Sequence, residues 1–215
     1  MFNQLKEDIA IIKAHDPAAR NSFEILFTYS GLHAVRSYRH AHWFYKHKMY
    51  TIARIISQWS RFWTGIEIHP GATIGKSLFI DHGMGVVIGE TAVIGDNCLI
   101  YQGVTLGGTG KDKGKRHPTL GDNVLVGAGA KVLGPFKVGN NVKIAANAVV
   151  LNPIPDNCTA VGIPARIVKQ NGNKVKPCVT NEIDQVHIPD PVSLEMCKML
   201  AKIENLEKRL DKIEK

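Results

Sequence analysis

Val87-Ile88-Gly89-Glu90-Thr91-Ala92-Val93-Ile94-Gly95-Asp96-Asn97-Cys98-Leu99-Ile100 carries an isoleucine every six residues, at 88, 94 and 100. The interval extends in both directions. Upstream lie Ile68, Ile74 and Ile80; downstream come Leu106, then Leu120, Val126, Val132, Val138, Ile144 and Val150. Between the three runs the spacing widens to 8 (80 to 88) and to 14 (106 to 120). Glycine follows the aliphatic residue at seven of the thirteen positions: 75, 89, 95, 107, 121, 127 and 139. The residue two before is usually apolar and often small, as at Ala72, Ala92, Cys98, Ala130 and Ala148. A period of six fits neither an amphipathic helix nor a hairpin meander. It marks a parallel β-helix of hexapeptide coils. Each hexad is a short strand and a turn, the aliphatic side chain points inward, and glycine is expected to supply the backbone conformation of the corner.

A stacked prism has little concavity, so the two places where the count fails are where chemistry is expected. The first follows Ile80-Asp81-His82-Gly83-Met84-Gly85. The second is the Gly- and Lys-rich stretch from Gly107 to Pro118, long enough to read as functional.

The flanks differ in period. Residues 1–64 read as an α-helical domain, with Pro17 suited to a helix start and Asp16 to its cap. Phe23, Phe27, Phe44, Trp59 and Phe62 fall at helical spacing among aliphatics, and most are expected in the core. The β-helix spans residues 65–168 with an extruded loop at 109–118. Residues 169–190 read as an extended tail. Val192, Met196, Met199, Ile203, Leu206, Leu210 and Ile213 are spaced alternately 4 and 3, a heptad stripe on a helix over 191–215.

The 215 residues carry a net charge of +8 and 44% hydrophobic content, ordinary for one or two folded domains. The start lacks the apolar core of a signal peptide and no apolar run reaches about 20 residues. Cys98, Cys158, Cys178 and Cys197 are widely separated, which suits reduced thiols. The expectation is a cytoplasmic protein with no membrane segment. Lysine and arginine gather at 111, 113, 115 and 116 among glycines. That favours a small phosphate-bearing ligand over a nucleic acid.

His82 is the candidate general base. Glu67 lies 15 residues earlier, close to one coil of 18, so the two are expected within side-chain reach. A carboxylate beside a histidine sets its tautomer and stabilises the imidazolium. His69, ahead of Pro70, reads instead as shaping the entry turn.

Asp16-Pro17-Ala18, Gly31-Leu32-His33-Ala34, Arg39 with His42-Trp43, Ile68-His69-Pro70, Asp81-His82-Gly83, Val87-Ile88-Gly89-Glu90-Thr91, Gln102 to Lys111, Arg116-His117-Pro118, Gly127 to Lys131 and Val161 to Arg166 together resemble the serine acetyltransferase family. The resemblance runs from about residue 12 to residue 169. The hexads are shared by many acyltransferases; the combination with Asp-Pro-Ala, Asp-His-Gly and Arg-His-Pro is narrow.

The resemblance implies an α+β chain: N-terminal helices, a left-handed parallel β-helix and a C-terminal helix. It implies transfer of the acetyl group of acetyl-CoA to the hydroxyl of L-serine, without a metal, in a site between neighbouring prisms. His82 and Glu67 would be catalytic. Asp16, Asp81, Arg116 and His117 would bind serine, or L-cysteine as inhibitor. Gly107, Gly108, Thr109, Ala128, Lys143, Ala146 and Lys169 would line the acetyl-CoA site. The best-known members carry aspartate where this chain has Glu67. Members often end in an isoleucine tail that docks into O-acetylserine sulfhydrylase, whereas this sequence ends Ile213-Glu214-Lys215, which weakens that partner. The short helical region favours a trimer over a hexamer. Rival readings are a hexapeptide acetyltransferase for homoserine or a sugar, a carbonic anhydrase-like metal lyase using His69, His82 and His117, and a silent assembly subunit.

Overall fold

A computed structural model describes residues 2–108, 110, 113–175, and 199, 202, 203, 206, 209 and 210. Four helices come first: α1 (Phe2–His15), α2 (Ser22–Thr28), α3 (Ser30–Lys46) and α4 (Tyr50–Thr64). No helix begins at Pro17. Asp16 closes a turn instead, its Oδ1 accepting the Ala18 N–H at 2.8 Å. The cap of α2 is Asn21, whose Oδ1 accepts the Glu24 N–H at 2.8 Å.

α3 lies against the solenoid. Ala34, Val35 and Tyr38 join its core, and the Tyr38 hydroxyl donates to the Ala72 carbonyl at 2.6 Å. Gly31 permits the close approach, since a Cβ there would stand 2.1 Å from the Ile80 carbonyl oxygen. α4 buries small residues, Ala53, Ser57 and Thr64, and the Ser57 hydroxyl donates to the Ile68 carbonyl at 2.8 Å. Its bulky residues Ile55, Trp59, Phe62 and Trp63 point outward, and Phe23 and Phe27 of α2 are exposed too. These aromatics are therefore not core, contrary to the sequence expectation, because small side chains fill the inward face.

The chain then winds in coils. The first holds β1 (Glu67–Ile68), β2 (Thr73–Ile74) and β3 (Phe79–Asp81); the second β4 (Val87–Ile88), β5 (Val93–Ile94) and β6 (Leu99–Tyr101). The third holds β7 (Thr105–Gly107), β8 (Thr119–Leu120) and β9 (Leu125–Val126); the fourth β10 (Lys131–Leu133), β11 (Lys137–Val138) and β12 (Lys143–Ile144). β13 (Val149–Val150), a bridge at Ile154 and β14 (Cys158–Val161) make the last. Stacking these coils gives three parallel sheets: β1-β4-β7-β10-β13, then β2-β5-β8-β11, then β3-β6-β9-β12-β14. β15 (Arg166–Gln170) runs back antiparallel along β14, carrying regular structure past residue 168.

The six-residue positions superpose. Ile68, Ile88, Leu106, Val132 and Val150 pair in register through the first sheet. The extra residues of both interruptions leave the prism without shifting that register. Every such aliphatic but Ile74 is buried, each burial worth about 1.5–3 kcal/mol.

The glycines do something other than expected. None of the seven after an inward aliphatic has positive φ. They answer to crowding: a Cβ on Gly95 would meet the Gly121 carbonyl carbon at 2.6 Å, because successive coils stack at strand spacing. The left-handed residues of the coil corners fall elsewhere: Ser77, Asn97, Asn123, Asn141 and Asn157 between the second and third sheets, and His82, Gly103, Gly129 and Asn147 among those between the third and first. Asparagine tolerates that conformation. The amides also ladder, Asn123 Nδ2 donating to Asn141 Oδ1 at 3.2 Å and Asn141 Nδ2 to Asn157 Oδ1 at 2.9 Å.

Residues 174–215 form a separate unit. Its described positions Met199, Lys202, Ile203, Leu206, Arg209 and Leu210 are helical and exposed. Of the expected tail over 169–190, residues 176–190 lie outside the described residues, as do the other positions of the expected 191–215 helix.

Candidate active site

The expected site residues gather at two edges of the prism. Edge I joins the third sheet to the first; edge II joins the first sheet to the second.

At edge I, Asp81 ends β3 and His82 follows with φ 59°. That left-handed conformation is uncommon outside glycine and recurs at functional sites. The imidazole is 75% exposed, with Nε2 3.9 Å from Asp81 Oδ1. Asp16 arrives from the helical domain. Its carboxylate accepts the Tyr29 hydroxyl and the Ala18 N–H, and these bonds, Tyr29's first, hold it below the usual carboxylate range. Burial, then the same bond, pushes the Tyr29 phenol up to about 12. Asp16, Tyr29, Gly31, Asp81 and His82 line a cavity of about 290 Å³. Two carboxylates facing one small cavity suit an ammonium beside the candidate base.

Glu67 departs from expectation. Its N–H donates to the Val86 carbonyl at 2.9 Å, so its backbone runs beside the 82–86 turn. Its carboxylate turns to α4, with Oε2 3.2 Å from Arg61 Nη1 and Oε1 4.0 Å from Arg54 Nη2. The only carboxylate within 4.0 Å of His82, among the described residues, is Asp81. The longer glutamate arm reaches two guanidinium groups in preference to the imidazole.

At edge II the extruded loop returns as Arg116 and His117. Arg116 Nη2 bonds Glu90 Oε2, and the Tyr45 hydroxyl donates to Glu90 Oε1 at 2.9 Å. These bonds, Arg116's first, hold Glu90 below its usual range. Thr91 Oγ1 accepts the N–H groups of Arg116 and His117 at 3.0 and 3.1 Å. His117 Nδ1 accepts the Thr91 N–H at 3.1 Å. Burial, then Arg116, lowers the proton affinity of His117. The neutral ring therefore carries its proton on Nε2 and offers it as a donor. Gly89 seats this ring, since a Cβ there would lie 2.0 Å from His117 Cδ2. His69 is bonded into its own turn, Nδ1 accepting the Gly71 N–H at 3.0 Å.

The expected acetyl-CoA residues divide in the same way. Gly107 ends β7 and Gly108 follows it at edge II. Ala128 and Ala146 follow β9 and β12 at edge I, in the column above His82, and the Asn147 N–H donates to the Ala128 carbonyl at 2.8 Å. Lys143 and Lys169 flank Thr159 on the third sheet, away from either edge. Thr109 lies outside the described residues. His82 is separated from His69 and His117 by edge, and no group of three His, Cys, Asp or Glu among the described residues is placed to hold a metal ion.

Sequence reasoning missed Tyr29, Arg61, Tyr45, Thr91 and Glu90. Glu90 was within reach of counting. It precedes Arg116 by 26 residues, the same offset that pairs Leu106 with Val132 across one coil and its loop.

Known proteins share these features. The family described as "Bacterial transferase hexapeptide (six repeats)" matches residues 117–152. Serine acetyltransferase of Staphylococcus aureus strain Mu50 is 57% identical over 212 residues, 99% of this chain and 94% of that protein. The Bacillus pumilus serine acetyltransferase is 56% identical over 209 residues, 97% and 94% of the two chains. Among solved structures, Neisseria gonorrhoeae serine acetyltransferase in complex with serine superposes with a TM-score of 0.75 at 39% identity, covering 78% of this chain and 69% of that one. A serine acetyltransferase in complex with cysteine gives 0.76 at 43%, with the same coverage. A hexapeptide solenoid behind four helices, a histidine-bearing edge, an arginine-bearing edge and this similarity along nearly the whole length make the chain a member of the serine acetyltransferase family.

Proposed function

We propose that the chain acetylates the hydroxyl of L-serine from acetyl-CoA in a site formed where edge I of one copy faces edge II of the next. The observation that carries this is the division of the site. His82, Asp16 and Asp81 lie on one edge and Arg116 and His117 on another, so one prism cannot bring all five to one small amino acid. A closed trimer sets each such pair of edges together once. The trimer is preferred to a hexamer because the helical region is short.

In this reading Asp16 and Asp81 hold the serine ammonium. The Arg116 fork, held by Glu90, takes the carboxylate. Neutral His117 donates from Nε2. His82 accepts the hydroxyl proton as the serine oxygen attacks the thioester carbonyl. Glu67 offsets the positive charge that develops on the ring. Backbone donors near Gly107 and Gly108 serve the oxyanion. As the C–S bond breaks, His82 returns the proton to the CoA thiolate. Ala128 and Ala146 continue the edge I column along which the pantetheine arm runs; Lys143 and Lys169, paired through Thr159 on the third sheet, are assigned to its polar end, as is Thr109, which lies outside the described residues. L-cysteine carries the same ammonium and carboxylate as serine, so it competes for the same groups, and a family relative is solved with it.

The test is thiol release from acetyl-CoA with L-serine, homoserine and amino sugars as acceptors. L-serine is expected to be preferred, with O-acetylserine formed one for one with CoA. Faster release with another acceptor would overturn the assignment.

A further inference from the structure

Glu67 does not stand alone. α4 presents two arginines to it one above the other, Arg61 at 3.2 Å and Arg54 at 4.0 Å. They are seven residues apart, two turns of one helix, and so share a face. That helix is fixed to β1 by the buried Ser57 hydroxyl on the Ile68 carbonyl, one residue beyond Glu67. The helix that carries both arginines is thus fixed against β1, while their side chains remain partly exposed. Arg54 Nη1 is the one buried side-chain nitrogen or oxygen without a hydrogen-bond partner among the described residues. A buried donor left unpaired is costly, and the same guanidinium stands with its other nitrogen, Nη2, 4.0 Å from Glu67 Oε1.

We propose that Arg61 and Arg54 are positioning residues for Glu67, holding its carboxylate on the α4 side of edge I, from where its charge acts on the His82 ring when the site is assembled. The inference rests on the reading of Glu67 as the partner of His82. A glutamate has one more rotatable bond than an aspartate, and the clamp removes the freedom that bond adds. Arg61 supplies the direct ion pair at one oxygen, and Arg54 adds its charge at the other, 4.0 Å away. Neither arginine touches substrate. Their effect passes through Glu67 to the transition state, so it falls on kcat and leaves serine binding alone.

The experiment measures kcat and serine KM for the full chain and for Arg61→Gln, Arg61→Lys, Glu67→Gln and the double variant Arg61→Gln/Glu67→Gln, with thermal unfolding of each. Arg61→Gln is expected to lower kcat about 10-fold with KM within about 2-fold. Arg61→Lys, which keeps the charge, recovers kcat to within about 3-fold. In the Glu67→Gln background, adding Arg61→Gln changes kcat by less than about 2-fold, since the arginine has lost the group it acts on. An equal loss in both backgrounds, or no loss in the first, overturns the proposal. Wild-type kcat in Glu67→Gln overturns the underlying reading of Glu67. A large loss there with none in Arg61→Gln overturns the clamp alone. Arg54→Gln, read against the same two backgrounds, gives a second variant should Arg61→Gln fold poorly.

Discussion

A site divided between copies can be restored from two dead halves. His82→Ala removes the base from edge I and leaves edge II whole; Arg116→Ala does the reverse. Each alone is expected to fall to about 1% of wild-type activity or less. A missing base typically costs about 10²–10⁴-fold, and a missing charged fork about 2–5 kcal/mol. When the two chains are co-expressed with different tags and assemble at random, each interface takes its base from one protomer and its arginine from the next. An interface works only if the base comes from an Arg116→Ala chain and the arginine from a His82→Ala chain. At equal amounts each condition holds for about half of the interfaces, so about a quarter of the sites are intact. Assayed whole for serine-dependent thiol release, homotrimers included, the assembled mixture should recover on the order of a quarter of wild-type turnover. Recovery should peak at equal amounts and fall symmetrically on either side. Activity no greater than the sum of the two parents at every ratio would refute the division of the site.

Glu90→Gln removes the charged partner of Arg116. Both groups are partly exposed, so the effect is moderated by solvent: serine KM should rise about 5–10-fold with kcat within about 2-fold, and an unchanged KM would contradict it. Gly89→Ala drives a methyl into the His117 ring and should cost about 1–3 kcal/mol in thermal unfolding, together with weaker serine binding by calorimetry; if neither changes, the ring is not seated as described. Burial lowers the proton affinity of His69 and His117, so the unfolded chain holds more protons just below the usual histidine value of about 6.5. Their stabilisation is complete above that pH and is lost as pH falls below it. Asp16 and Glu90, also lowered, keep theirs until pH drops below the usual carboxylate values of about 4. The urea midpoint should therefore fall in two steps between pH 8 and 3, and His117→Gln should shrink the first step only.

The prism was legible because its coils repeat one local rule. An aliphatic residue every six positions leaves a side chain at the same place on each sheet, and both insertions preserve that register, so Ile68 to Val150 could be placed by counting. The same counting divides His82 from Arg116, since each sheet takes one hexad. Other features hang on tertiary placement. Gly95 has no need of positive φ; it is required because Gly121 lies above it, a contact with no local trace. Trp59 and Phe62 have helical spacing whether they face the solenoid or solvent, and the choice was made by Ala53 and Ser57 on the opposite side. Glu67 sits where the motif puts it, but its carboxylate follows Arg61 and Arg54, whose position depends on how α4 docks on β1. Polar partners drawn from distant elements, such as Tyr29 with Asp16 and Tyr45 with Glu90, leave no periodic mark at all.

If His82 is the base, the turnover of His82→Ala, measured beside its affinity for serine, shows it. Serine binding by calorimetry should stay within about 3-fold of wild type while kcat falls by about 10²–10⁴-fold, because the ring moves a proton and does not hold the substrate. Near-normal kcat in a folded His82→Ala enzyme would contradict it.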